Sequence, residues 1–337
     1  MNVEEKLNLI KRNLEEIIGE KELRDLLKTK KEISVYWGTM PTGNPHVAYF
    51  LPLIKIRDFL KAELKVIILI ADLHAALDGV SWSILEKRER YYQELIQTML
   101  KALKVDIKKL KFVKGSSIQK TPKYFEDVLK MSMLTTIKDT AKAASEVVKM
   151  TDNPKLGNLI YPIMQALDEE YLKVDIQFGG VDQRKIFVFA REFLPKLGYK
   201  ARAELMNPMI KGLTGEKMSS SVSASKIDIL DDEQTIVKKV NNAEFIPGSV
   251  NNGIMQWLKY IIFPVIDDKK GSLLIERPKK FGGNLSYKSY EELEMDVISN
   301  KIHPLDIKNA LAKELNLLVE RVRKNKKLYR LYEEAYE

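Results

Sequence analysis

The chain contains no cysteine. That single absence excludes disulfides, cysteine-ligated zinc and thiol catalysis, and it fits a reducing, cytoplasmic setting. Histidine is nearly absent too, at three residues, His46, His74 and His303. No two of them have the i, i+4 spacing that puts a metal pair on one helix face, so no metal site is expected. Long apolar runs are missing. The stretch Val66–Ala71 is far short of the ~20 residues a membrane helix needs, and no membrane span is expected. Early acids, Glu4 and Glu5, and the lack of an apolar leader make a secretion signal unexpected. Internal repeats and low-complexity tracts are also lacking.

What is present is an ordinary globular balance, 45% hydrophobic and 31% charged over 337 residues. That length suits two domains, or one large domain with an appendage. The net charge of +9 fits either a polyanionic partner or a lysine-rich soluble surface. The charge is uneven. Arg321, Arg323, Lys324, Lys326, Lys327 and Arg330 crowd together, with Tyr329 and Tyr332 among them.

Residues 3–30 read as one or two amphipathic helices. A short β-prone run, Ile33–Trp37, ends at Gly38, and helical spacing resumes through Leu51, Ile54, Ile56 and Leu60. A buried strand follows at Val66–Ile70, then a long helix over about 82–104 with Leu85, Tyr92, Leu95, Met99 and Leu103 on one face. This alternation predicts an α/β fold, a parallel sheet covered by helices. Its ligands belong at the carboxyl ends of strands, where strand order reverses. Beyond about 230 strand signals fade and helical patterns dominate, as in Ile307, Leu311, Leu315 and Leu318. A second, mainly helical unit is expected from about Asp231.

Two loops carry chemistry. Gly38-Thr39-Met40-Pro41-Thr42-Gly43-Asn44-Pro45-His46 joins a strand to a helix N-terminus, where backbone N–H groups receive phosphate and glycines permit close approach. It has neither the Walker nor the dinucleotide spacing. Gly212–Ser221, containing Lys217-Met218-Ser219-Ser220-Ser221, places one ammonium in a glycine- and hydroxyl-rich segment suited to closing on a polyphosphate. In Tyr161–Asp168, helical spacing aligns Tyr161, Gln165 and Asp168 on one face; a solvated face would show the same pattern.

Lys217–Ser221 together with His46-Val47-Ala48-Tyr49 resembles the two signature motifs of class I aminoacyl-tRNA synthetases. Within that class the chain is similar to tyrosyl-tRNA synthetases of the archaeal and eukaryotic cytosolic type. The matching segments are Tyr36–Phe50, Ala71–Asp78, Leu159–Lys185, Met206–Ser221 and Phe281–Asn309, in the same order over nearly the whole length. One departure stands out. The HIGH tetrapeptide reads HVAY, with Ala48 and Tyr49 at its last two positions.

The resemblance implies a Rossmann-like doubly wound parallel sheet over residues 1–230, with a dimer-interface insertion near 110–150. It also implies a helical anticodon-binding domain over 231–337. The implied reaction activates L-tyrosine with ATP and Mg²⁺, then loads the terminal adenosine of tRNA(Tyr). His46 and Lys217 would serve catalysis, and Gly38, Thr42, Gly43, Tyr49, Met218, Ser219, Ser220 and Ser221 would join them around ATP. Tyr161, Gln165 and Gln183 would hold the amino end of tyrosine, with His74 in the same pocket, and Tyr36 and Asp168 would bind its hydroxyl. Lys142, Arg184 and Lys185 would meet the acceptor stem. Phe281 and Asp306, flanked by His303 and Pro304, would meet the anticodon; otherwise Phe281 is core and Asp306 a helix cap. A cytoplasmic homodimer is implied. The rival readings are a tryptophanyl-tRNA synthetase, which the Tyr36–Asp168 pair disfavours, an RNA-binding relic, which would have lost Lys217 or His46, and a small-molecule nucleotidyltransferase. The long C-terminal extension of animal members is not expected here, nor a function that depends on it.

Overall fold

The computed structural model describes residues 1–148, 153–213 and 226–337. Helix α1 (Val3–Lys11) starts at Asn2, whose side chain accepts from Glu5 N while Glu5 accepts from Asn2 N, a reciprocal box that satisfies two open N–H groups. The chain then leaves helical geometry at Asn13, which has φ 59°. A short strand β1 (Glu16–Ile18) precedes α2 (Glu20–Thr29). This strand departs from the all-helical reading of residues 3–30. Its three residues are too few to show a period of two, and pairing with a distant strand decides their conformation.

The main sheet contains β1, β2 (Ser34–Thr39), β3 (Lys65–Ile70), β4 (Leu110–Lys114), β5 (Ile176–Gly180) and β6 (Ala203–Asn207). Its order is β1-β6-β5-β2-β3-β4, parallel except for the antiparallel edge β1. From β2 the chain builds outward to β3 and β4, then returns to the other side of β2 for β5 and β6. The reversal point therefore lies between the carboxyl ends of β2 and β5, where such sheets hold ligands.

Alternation along β2 sorts its side chains. Val35 and Trp37 enter the large apolar cluster with Ile68, Ile176 and Phe178, on one face. Tyr36 points to the other face, among Leu69, Leu172 and Val174. On that face the sheet is polar at its centre: Tyr36 pairs in register with Gln177, and Gln177 with Glu204.

Helices α3 (Phe50–Lys61), α4 (Asp72–Leu77), α5 (Leu85–Ala102), α6 (Gly115–Gln119), α7 (Pro122–Leu134), α8 (Ile137–Ala144), α9 (Leu156–Tyr171) and α10 (Arg184–Phe193) connect and cover the strands. The apolar stripe read from the sequence is buried on α5: Leu85, Tyr92, Leu95 and Met99 are all in the core.

From Asp232, whose side chain caps α11 (Glu233–Asn241) by accepting from Thr235 N at 2.7 Å, helices dominate. They are α12 (Gly253–Trp257), α13 (Phe263–Asp268), α14 (Tyr290–Ile298), α15 (Pro304–Arg323) and α16 (Lys326–Tyr336). Ile307, Leu311, Leu315 and Leu318 line the buried side of α15. A two-stranded hairpin, β7 (Leu273–Ile275) and β8 (Leu285–Tyr287), interrupts the helices. Its strands are too short for periodicity, and Gly282 and Gly283, at φ 96° and 72°, make the connection. One apolar cluster runs from Leu7 through the sheet to Ala335, so α15 and α16 share a core with α5.

Candidate active site

A cavity of about 360 Å³ opens at the reversal point of the sheet. Each wall comes from a different element: Tyr36, Gly38 and Thr39 from β2, His74 from α4, Tyr161, Gln165 and Asp168 from α9, and Gln177 through Gly180 from β5. Thr42, His46 and Tyr49 line it on the loop side. A second cavity of about 220 Å³ shares Trp37, His46, Ala48, Gly179 and Met209 with the first and extends to Asn207, Pro208 and Ile210. The site is thus a deep polar end joined to a shallower apolar one.

The deep end is built on Asp168. Its carboxylate is 1% exposed and accepts from Gln119 Nε2 at 2.9 and 3.0 Å and from the Tyr124 hydroxyl at 2.8 Å. Burial lifts its pKa from 3.8 to about 7, with the Gln119 and Tyr124 hydrogen bonds opposing the rise. His74 lies beside it, with Nε2 3.9 Å from Asp168 Oδ2 and Nδ1 3.3 Å from Gln119 Nε2. Burial lowers His74 to about 4, so the ring is neutral at pH 7. It stands edge-on to Tyr161, 4.6 Å between centroids.

Tyr36 is also 1% exposed, and its hydroxyl donates to the Gln177 amide oxygen at 2.7 Å. The amide nitrogen then donates to Glu204 at 3.3 Å and to Glu169. The opposite turn of the amide would set its oxygen against both carboxyls. Burial raises the Tyr36 hydroxyl well above its usual range, and Asp168 adds to the effect. Burial also pushes the Glu169 and Glu204 carboxyls up. Nearer the mouth, Gln165 Nε2 donates to Gln183 Oε1 at 3.1 Å, while Gln165 Oε1, buried, has no protein partner. The helical face read from the sequence therefore lines a cavity, not solvent.

The shallow end is built on the loop after β2. His46 precedes the 3₁₀ turn Val47–Tyr49 that leads into α3. Burial, with Lys226 nearby, lowers His46 to about 4, Asp228 opposing; the neutral ring has a buried Nδ1 without a partner. Tyr49, at the departure from the HIGH pattern, shares a hydrogen bond with Thr39 Oγ1 at 3.2 Å and packs edge-on to Trp37, His46 and Tyr92. Gly38 faces the cavity, and a Cβ there would meet only Tyr36 at an ordinary 3.6 Å. Gly43 is not among the lining residues; its carbonyl is turned to Tyr92 and Tyr336. Lys217, Met218, Ser219, Ser220 and Ser221 lie outside the described residues.

Two further groups fall elsewhere on the surface. Lys142, Arg184 and Lys185 line one cavity of about 260 Å³ with Asp139, Val188 and Glu192. Arg184 makes a forked pair with Glu16 at 2.7 and 3.0 Å, and Lys185 reaches Ser145 and Glu146. In the helical part, Phe281 is 62% exposed, so it is not core. Asp306 is not the cap either: His303 caps α15, its Nδ1 accepting from Leu305 N at 3.2 Å, with Pro304 opening the helix. Arg277 donates to Gly283 O and Lys301 O and so ties the Phe281 turn to the segment leading into α15.

Gln119, Tyr124, Gln177, Glu169 and Glu204 were not read from the sequence. The available signal was a lone polar residue inside a buried strand, Ile176-Gln177-Phe178 and Ala203-Glu204-Leu205.

Residues 28–320 match the family model described as tRNA synthetases class I (W and Y). The cytoplasmic tyrosine--tRNA ligase of Saccharomyces cerevisiae is 45% identical over 342 aligned residues, covering 99% of this chain and 87% of that protein. The chain belongs to the tyrosyl-tRNA synthetase family. Its Danio rerio relative, also named cytoplasmic, is 50% identical over 96% of the chain. The chain spans 61% of that protein's length. A tyrosyl-tRNA synthetase from Archaeoglobus fulgidus, solved in complex with L-tyrosine, superposes with a TM-score of 0.90 at 39% identity, covering 96% of this synthetase chain and 99% of its own. Among the described residues no helix is long and apolar enough to cross a membrane.

Proposed function

We propose that the chain is a tyrosine--tRNA ligase that forms tyrosyl-adenylate from L-tyrosine and ATP and passes the tyrosyl group to tRNA(Tyr). The observation that carries this reading is the buried pair Tyr36 and Asp168 at the closed end of a cavity on the sheet's reversal point. A phenol is the amino-acid side chain that places one hydroxyl between two such groups. Phenylalanine would bring no hydroxyl to add to the bonds these groups already make with Gln119, Tyr124 and Gln177. It would lose the hydrogen bonds tyrosine gains there, about 0.5–1.5 kcal/mol each. An indole has no hydroxyl for them, which sets the tryptophan reading aside.

In the proposed first step a tyrosine carboxylate oxygen attacks the α-phosphorus of ATP. The new O–P bond forms as the bond to the bridging oxygen of the β-phosphate breaks, and pyrophosphate leaves with the electron pair. In the second step the ribose hydroxyl of the terminal adenosine attacks the tyrosyl carbonyl, and AMP departs. No side chain becomes covalently bound. The protein positions the reactants and stabilises charge. Tyr161, Gln165 and Gln183 fix the amino end, the orphaned Gln165 Oε1 accepting from the ammonium. Neutral His46 meets the phosphates as a hydrogen-bonding group and not as a charge. Lys217 supplies a cation for the departing pyrophosphate, and Met218 to Ser221 serve ATP binding beside it. ATP enters with Mg²⁺ as counter-ion to its triphosphate.

For tRNA, the basic cavity of Lys142, Arg184 and Lys185 takes the acceptor stem, while exposed Phe281 stacks on an anticodon base and Asp306 accepts from one. The unit over 1–230 does the chemistry, and 231–337 reads the anticodon. Two copies associate through the 110–150 region, where Phe125, Leu129, Met133 and Ile137 are exposed apolar side chains. The test is tyrosine-dependent ATP–pyrophosphate exchange, with tryptophan and phenylalanine beside it and Lys217→Ala as control. Exchange with tyrosine alone, lost in the variant, is expected; its absence would sink the enzyme reading.

A further inference from the structure

The loop after β2 is held from outside by a clasp of aromatic and polar side chains, one of them 293 positions away in sequence. The Tyr336 hydroxyl on α16 donates to Gly43 O at 2.8 Å, and the Tyr92 hydroxyl on α5 donates to the same oxygen. Arg88, also on α5, donates to Thr42 O and to Ala335 O, and its guanidinium stands 4.8 Å from the Tyr336 ring centre. Tyr91 donates to Asn44 Oδ1 at 3.0 Å and meets the Tyr336 ring edge-on at 5.6 Å. Asn44 in turn donates to Asp228 at 3.2 Å.

The direction of these bonds matters. In a trans peptide the C=O and the following N–H point opposite ways. With Thr42 O and Gly43 O drawn toward α5 and α16, the N–H groups of Gly43 and Asn44 face away from those helices. Thr42 and His46, which flank these peptides in the chain, line the cavity, while Gly43 and Asn44 do not. A loop containing Pro41, Gly43 and Pro45 would otherwise sample several peptide orientations, and ordering them at binding would weaken the nucleotide's hold.

We infer that Tyr336 is a positioning residue for ATP: from the last helix it fixes the Gly43 carbonyl, and with it the loop that presents Thr42 and His46 to the triphosphate. This rests on the proposed reading of that loop as the nucleotide site. Tyrosine binds at the opposite end of the cavity, against Tyr36 and Asp168, so the clasp acts on one substrate and not the other.

The test is pyrophosphate exchange on the full chain, with ATP and tyrosine varied separately, for Tyr336→Phe, Tyr336→Ala and His46→Ala. Tyr336→Phe keeps the ring against Arg88 and Tyr91 and removes only the hydroxyl. It is expected to raise the ATP KM about three- to ten-fold, as losing one hydrogen bond does. Its tyrosine KM should stay unchanged, and Tyr336→Ala should raise the ATP KM further. An unchanged ATP KM in both Tyr336 variants, with a raised one in His46→Ala, overturns the clasp and leaves the nucleotide site standing. An unchanged ATP KM in all three overturns both. Equal rises in both KM values with a lower thermal midpoint would mark Tyr336 as merely structural and also overturn the inference.

Discussion

At Asp168, burial and hydrogen bonding pull against each other, and burial prevails. Its carboxyl binds a proton more tightly in the folded chain than in the unfolded one, with a pKa of about 7 against 3.8. The stability this contributes is therefore present below about pH 4 and is lost as pH rises through 7. His74, depressed to about 4, has the opposite sign: its neutral form contributes stability above its ordinary pKa that is lost as pH falls toward 4. Comparing the parent with Asp168→Asn isolates the first effect, since His74 is common to both. The ligand-free parent should lose about 3–4 kcal/mol relative to the variant between pH 4 and pH 7 and run parallel above it. Denaturant titrations at each pH would read this, and parallel curves throughout would refute the buried-acid account. Tyr36→Phe makes a chemical test of the same pocket. Tyrosine activation should fall relative to phenylalanine activation by about ten-fold or more, read as the ratio of kcat/KM values in pyrophosphate exchange. The Tyr161, Gln165 and Asp168 face was legible because helical spacing is visible in one segment. Gln119, Tyr124 and Gln177 were not, because they reach Asp168 and Tyr36 from separate elements that only the tertiary fold brings together.

Among the elements, the long ones declared themselves and the short ones did not. The buried stripe of α5 and that of α15 follow from periodicity over several turns. Strand β1 and the β7–β8 hairpin, three residues each, take their conformation from partners far along the chain. The turn carrying Phe281 belongs to that second kind. Its exposure, with Lys280 Nζ 5.0 Å from the ring centre, leaves an aromatic face open to a base. Phe281→Ala should raise the KM for tRNA in aminoacylation, on the order of ten-fold for one lost stack, while tyrosine-dependent pyrophosphate exchange stays at the parent rate. A fall in both assays would place Phe281 in folding and not in recognition. The basic cavity makes a parallel point. Lys142 and the Arg184–Lys185 pair lie far apart in sequence, and packing of α8 against α10 unites them.

For the whole molecule, sequence patterning foretold a sheet with helices and a helical remainder, but not that both would share one apolar core. Helix α16, which starts within the basic cluster read from the sequence, lies on α5. Association of two copies is argued from α7 and the start of α8, where Met133 is 86% and Ile137 73% exposed. Met133→Glu, which sets a charge into that face, should weaken self-association by about ten-fold or more. Sedimentation equilibrium would measure it, and an unchanged mass would move the interface elsewhere. One edge of the main sheet is closed by β1 from within the chain. A parallel sheet that stopped at β6 would offer a row of unpaired peptide groups to any neighbour. The short antiparallel strand Glu16–Ile18 occupies that row from within the same chain. The β6 edge is thus covered by the chain's own N-terminal segment, which leaves the outer side of β1 and strand β4 as the edges of the sheet.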